Sequence, residues 1–184
     1  MLEIKQEQVF WKEYLESLDK KLILAENLQK EDPDLSMLIP LLIVDGLSDI
    51  LYPKIDCWNR FNKLLEENTE NSFLKNKNNR KYLYKTYRCI LAHGNLLVPS
   101  FRKWWGSDKS PAELGHTKNN HITISIPTQF IIEETKNIIK NLRKTHSDHD
   151  DYFEVTIYCC SECHKEFLDN GNSKKKCIFC NSNP

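Results

Sequence analysis

Apolar residues recur at helical spacing through much of the chain, and polar breaks divide them into four stretches before residue 95. Val9, Phe10, Tyr14, Leu18, Leu22 and Ala25 predict an amphipathic helix from Ile4 to about Gln29, which Asp32-Pro33 breaks. The longest apolar run, Met37 to Val44, belongs to a second predicted helix ending at Leu51, with Ser36 as a candidate cap. Apolar residues surround its first half, so it reads as the central core helix, with Pro40 near enough to the start to be tolerated or to kink it. A third helix, Ile55 to about Glu67, places Cys57, Trp58, Phe61, Leu64 and Leu65 on one face, and polar Asn68 to Asn78 reads as a loop. A fourth, Asn79 to Gly94, carries two stripes: Leu83, Tyr87 and Ile90 for burial, and Lys81, Lys85 and Arg88 as a basic edge. Gly94 suits the left-handed residue that closes a last turn.

Beyond Gly94 the pattern lapses to about Asn120, across Pro99, Pro111 and the pair Trp104 and Trp105. Connections of that length are usually functional or mobile. His121 to Ile126 alternates as a short strand, and Thr128 opens a helix to about Lys144 with Ile131, Thr135, Ile138, Ile139 and Leu142 inward. Charged His146 to Asp151 reads as a linker, and Phe153, Val155 and Ile157 alternate as a strand of a second unit. The expectation is a mainly α protein: a helical bundle over residues 1–145 with a short β element, and a small module over 152–184.

Charge changes the picture locally. Lys+Arg and Asp+Glu each total 26, so the chain is not a globally basic nucleic-acid binder. Yet no acidic residue occurs from Asn71 to Ser107, while Lys75, Lys77, Arg80, Lys81, Lys85, Arg88, Arg102 and Lys103 all do. The five cations from Lys75 to Lys85 are therefore candidate nucleic-acid contacts. The apolar runs fall far short of the ~20 residues that span a bilayer, and the first residues lack a signal-peptide pattern. The expectation is a cytoplasmic protein with reduced thiols and no membrane partner.

Two C-x2-C pairs, Cys160 with Cys163 and Cys177 with Cys180, stand thirteen residues apart. Each pair can form a tight turn aiming two thiolates at one ion, and four sulfurs close a tetrahedral zinc site. Such a four-cysteine zinc ribbon leaves no position for water or substrate, so its zinc is expected to be structural. Cys159 abuts the first ligand and spoils the spacing if it replaces it, so it reads as a bystander. His146, His149 and His164 have no evident partner set and read as surface residues.

Arg88 and His93 give the fourth helix its chemical content. Together with Val44-Asp-Gly-Leu-Ser-Asp-Ile-Leu-Tyr52 and Arg60-Phe-Asn-Lys-Leu-Leu65, the stretch Tyr87-Arg-Cys-Ile-Leu-Ala-His-Gly94 resembles the HEPN superfamily. The hallmark of that all-helical group of toxin and defence proteins is Arg, four to six intervening residues, then His. The resemblance covers Leu35 to Gly94, extends more loosely to the helix from Thr128, and leaves the cysteine module out.

What the resemblance implies is a metal-independent endoribonuclease, with Arg88 and His93 as catalytic residues in a cleft shared by two protomers. The expected product carries a 2',3'-cyclic phosphate. Catalytic members often have a polar residue after the arginine, where this chain has Cys89. On an α-helix the two residues stand roughly 7.5 Å apart in rise and about 140° in rotation, so a homodimer is expected to complete the site. Alternatives are a non-catalytic HEPN-like module binding nucleic acid or protein, and a nucleotidyl-transfer or antitoxin-regulated protein with a regulatory partner. Phe101, Tyr84, Trp104 and Trp105 are candidates for base stacking, or for core and dimer seam.

Overall fold

The computed structural model describes residues 2–89, 112–116, 122–160 and 162–168. Among them the chain is mainly helical, with two small antiparallel sheets. It divides into two compact units: residues 15–145 form one, and residues 1–14 with 146–184 form the other.

The larger unit takes residues 15–28 of helix α1 (Trp11–Leu28), then α2 (Pro33–Leu51), α3 (Cys57–Asn68), the short α4 (Ser72–Lys75) and α5 (Lys77–Tyr82). A π-helical segment, Leu83–Cys89, continues α5, and α6 spans Thr128–Thr145. Strands β2 (Ala112–His116) and β3 (Ile122–Ser125) pair antiparallel. Helix α2 is the central element, packed by α3, α6 and the π-helical segment. Leu41, Val44 and Leu47 of α2, Phe61, Leu64 and Leu65 of α3, and Ile131, Ile138 and Ile139 of α6 are all buried. The sequence places the inward stripe of α6 as observed, and Thr135 within it donates its hydroxyl back to the Ile131 carbonyl at 2.8 Å.

Local chemistry moves several boundaries. Asp32 caps α2 through its carboxylate on the Leu35 N–H at 3.1 Å. Ser36, expected as the cap, is instead buried and donates to the Ala25 carbonyl at 2.6 Å. Asp56 caps α3, and Cys57, expected on the apolar face, is exposed. The expected loop from Asn68 to Asn78 contains α4, because Asn71 and Asn76 each cap a helix start with a side-chain oxygen.

In the smaller unit the main correction is at the N-terminus. Residues expected as the first turns of a helix form β1 (Leu2–Phe10), antiparallel to β4 (Tyr152–Cys160) from Leu2 opposite Cys160 to Phe10 opposite Tyr152. This segment therefore belongs with the C-terminal unit, not with the helical body. Strand β5 (Glu166–Leu168) pairs on the other edge of β4. Trp11 is buried there, with His146 stacked on it at 4.3 Å and Phe153 tilted at 4.7 Å. His146 is thus not a bare surface residue, and its Nδ1 also lies 2.6 Å from Asp151.

Candidate functional site

The basic segment from Lys75 to Arg88 divides sharply by environment. Lys77, Lys81 and Lys85 are exposed, and among the described residues no carboxylate pairs with them. Lys75 is exposed too, but its ammonium lies 2.8 Å from Glu70, which holds the Glu70 carboxyl below its ordinary range.

Arg80 corrects the surface reading. Its side chain is only 1% exposed. Nε donates to Asn62 Oδ1 at 2.8 Å, and Nη1 donates to the Leu74 and Lys75 carbonyls at 2.7 and 2.9 Å. Nη2 meets Glu66 at 2.9 Å. A guanidinium is a flat fork of five donors, and this one ties the C-terminal carbonyls of α4 to α3. It is a structural bolt with no face for a nucleic acid.

The end of the segment is wound more widely than an α-helix. Residues Leu83–Cys89 form a π-helical turn, in which hydrogen bonds run from i to i+5 and bring residues five apart nearer to one line. The rings of Tyr82 and Tyr87, five apart, accordingly meet edge-on at 6.0 Å. The offset expected between Arg88 and His93 falls outside the described residues. Segments of π-helix recur at functional positions. Leu83, Tyr84 and Tyr87 face the core. Burial, then the neighbouring Tyr82, pushes the Tyr87 phenol up to about 12, so it stays protonated.

Arg88 sits where this segment meets α2. Its Nη2 is paired with Asp45 Oδ2, and its guanidinium lies 5.4 Å over the Tyr84 ring. The arginine side chain is 19% exposed and the aspartate 12%. Asp45 stands in an otherwise apolar stretch of the core helix, where a carboxylate persists only with a cation beside it. One turn further along α2, Asp49 meets Arg60 of α3 at 2.5 Å. Trp58 of α3 packs on Tyr84 at 5.5 Å. Sequence reading named Arg88 but did not name Asp45 as its partner, nor the Asp49 and Arg60 pair. The available signal was a pair of carboxylates four apart on the most apolar helix.

His93, Phe101, Trp104 and Trp105 lie outside the described residues, as do Cys177 and Cys180. The first cysteine pair is described. Cys160 is buried at the end of β4, its N–H bonds the Lys165 carbonyl at 3.0 Å, and its carbonyl accepts from the His164 N–H at 2.8 Å. His164 closes this turn with φ 54. These backbone bonds place Cys160 at the end of β4 and Cys163 in the stretch leading to β5. Among the described residues alone no cluster of three metal-ligating side chains occurs. Neighbouring Cys159 donates its thiol to Glu166 at 3.3 Å, and Lys5 reaches the same carboxylate at 2.9 Å. Desolvation and then the Glu166 hydrogen bond raise the Cys159 thiol above its ordinary value.

No family model, no curated protein and no solved structure matches the chain. Among the described residues no helix is long and apolar enough to cross a membrane.

Proposed function

We propose that the protein is a metal-independent, HEPN-like endoribonuclease of the toxin or defence type, acting through Arg88 and His93 in a cleft between two copies of the chain. The observation that carries this reading is the seat of Arg88. It stands at the end of a π-helical turn, is oriented by Asp45 and Tyr84, and keeps part of its side chain accessible. Exposed Lys77, Lys81 and Lys85 lie on the same continuous segment and supply the positive surface that draws a phosphodiester chain.

In the reaction the RNA 2'-oxygen forms a bond to phosphorus and the bond to the 5'-oxygen breaks. One proton leaves the 2'-hydroxyl and another reaches the departing 5'-oxygen. His93 handles one of these transfers, a task that suits an imidazole whose ordinary pKa is about 6.5. Arg88 offsets the negative charge that grows on the phosphoryl oxygens. Cys160, Cys163, Cys177 and Cys180 hold a structural zinc, whose chemistry is to fix the fold of the C-terminal unit.

A second reading, a non-catalytic module binding nucleic acid or a regulatory protein, draws on the same pair. Asp45 already balances the charge of Arg88, as in a purely structural ion pair. Cleavage of single-stranded RNA without added divalent metal separates the two. The ribonuclease reading expects cleavage by the wild type and its loss in folded Arg88→Ala and His93→Ala. Cleavage that survives both substitutions, or its absence from the wild type, favours the module.

A further inference from the structure

The cations of α6 fall into two groups. Lys136 and Arg143 are tied to α1, the first to Glu26 at 2.6 Å and the second to Asp19. Lys140 and Lys144, one turn apart, are exposed, and among the described residues no carboxylate pairs with either. Both line a cavity of about 400 Å³ that α6 shares with the end of α3 and the chain leading into α4. A lysine at a helix C-terminus is favoured by the last carbonyls, which accounts for Lys144 but not for Lys140, outside the last turn. Like charges at i and i+4 repel, and an anion between them turns that repulsion into a binding site.

The remaining wall says what accompanies the anion. Among the described residues the cavity is lined by asparagine, glutamate and lysine alone. Small-molecule sites are ordinarily mostly apolar, so an aromatic or aliphatic ligand has little to gain here. Hydrogen-bonding capacity is left on both sides. The Asn137 amide has no partner among the described residues. Asn68 donates to the Leu64 carbonyl at 3.0 Å and keeps its Oδ1, whereas Asn71 caps α4 through Oδ1 and keeps its amide protons. Glu134 accepts the Thr69 hydroxyl on Oε2 at 2.7 Å and keeps Oε1. Amides and carboxylates together match sugar hydroxyls, which donate and accept at once, and ammonium groups match phosphate. Along α6 the order Glu134, Asn137, Lys140, Lys144 puts acceptors at one end and cations at the other. We propose that this cavity binds a sugar phosphate, with the phosphate between Lys140 and Lys144 and the hydroxyls on Asn137 and Glu134. The proposal stands independently of the ribonuclease reading.

The test is calorimetric titration of the full chain with ribose 5-phosphate, and separately with inorganic phosphate, ribose and adenosine 5'-monophosphate. Ribose 5-phosphate should bind more tightly than phosphate or ribose. Adenosine 5'-monophosphate should bind no more tightly than ribose 5-phosphate, because its base finds no apolar wall. Lys140→Gln and Lys144→Gln should each weaken ribose 5-phosphate roughly 10- to 150-fold, the share of one charge-assisted hydrogen bond. Asn137→Ala should weaken ribose 5-phosphate and leave phosphate unchanged. Lys136→Gln, on the same helix but paired with Glu26, should leave both affinities as they are. All four residues lie at least partly in solvent, so the variants should keep the wild-type circular dichroism. No binding of ribose 5-phosphate, affinity unchanged in both Lys140→Gln and Lys144→Gln, or phosphate binding as tightly as ribose 5-phosphate overturns the proposal. A nucleotide that binds more tightly than its sugar phosphate overturns it too. None of these results bears on RNA cleavage, so the two readings stand or fall apart.

Discussion

Arg80 distinguishes a folding role from a binding role more cleanly than any other cation in the basic segment. Replacing it with alanine leaves Asn62 Oδ1 and the Leu74 and Lys75 carbonyls without their donors, and opens a void under α4. Each buried acceptor stranded in this way costs about 1–3 kcal/mol. The Glu66 contact adds little, because that carboxylate is 61% exposed and readily rehydrated. Water entering the void recovers part of the cost, so the net loss is about 3–5 kcal/mol, in line with breaking a buried pair by removing one partner. Urea unfolding followed by far-ultraviolet circular dichroism should show the midpoint falling with the slope preserved. Arg80→Lys should recover only part of the loss, since an ammonium cannot span three acceptors as a planar fork does. Lys81→Ala and Lys85→Ala, both exposed, should stay within about 0.5 kcal/mol of the wild type. An Arg80→Ala protein as stable as the wild type but weaker in RNA binding refutes the assignment and returns Arg80 to the surface.

Three further outcomes follow from other parts of the molecule. The Tyr87 phenol, raised to about 12, contributes stability that is complete below pH 10 and lost as pH rises towards 12. A shift of that size is worth about 2–3 kcal/mol, and Tyr87→Phe should flatten this alkaline loss while removing one late-titrating phenolate from the absorbance at 295 nm. Purified protein should contain about one zinc per chain, and Cys163→Ser should lose it. Stoichiometric absence of zinc from folded protein removes the ribbon assignment. Asp45→Asn should leave Arg88 without its counter-charge, tightening binding of uncleavable RNA while slowing cleavage through a mis-set guanidinium. An unchanged rate refutes a positioning role for Asp45.

What the sequence made legible is what local chemistry decides. The stripe Ile131, Thr135, Ile138, Ile139 and Leu142 has one helical reading, and it is buried as expected. Phe61, Leu64 and Leu65 are equally plain. Strand β1 was illegible because its pairing partner lies about 150 residues away, so Val9 and Phe10 read as the start of the helix that follows. Likewise, nothing local separates Arg80 from Lys81. The difference is made by Asn62 and Glu66 on another helix. Arg88 was visible as a candidate by its motif, whereas its partner Asp45 was hidden 43 residues upstream. The wide winding of Leu83–Cys89 has no signature in the pattern, since the same apolar residues are buried under either winding.

The most direct measurement is the chemistry of the ends left on single-stranded RNA after incubation with the purified protein, without added divalent metal. The account predicts 2',3'-cyclic phosphate on one fragment and a 5'-hydroxyl on the other, with both absent from a folded His93→Ala protein. Products ending in 3'-hydroxyl and 5'-phosphate, or cyclic ends still formed without His93, contradict it.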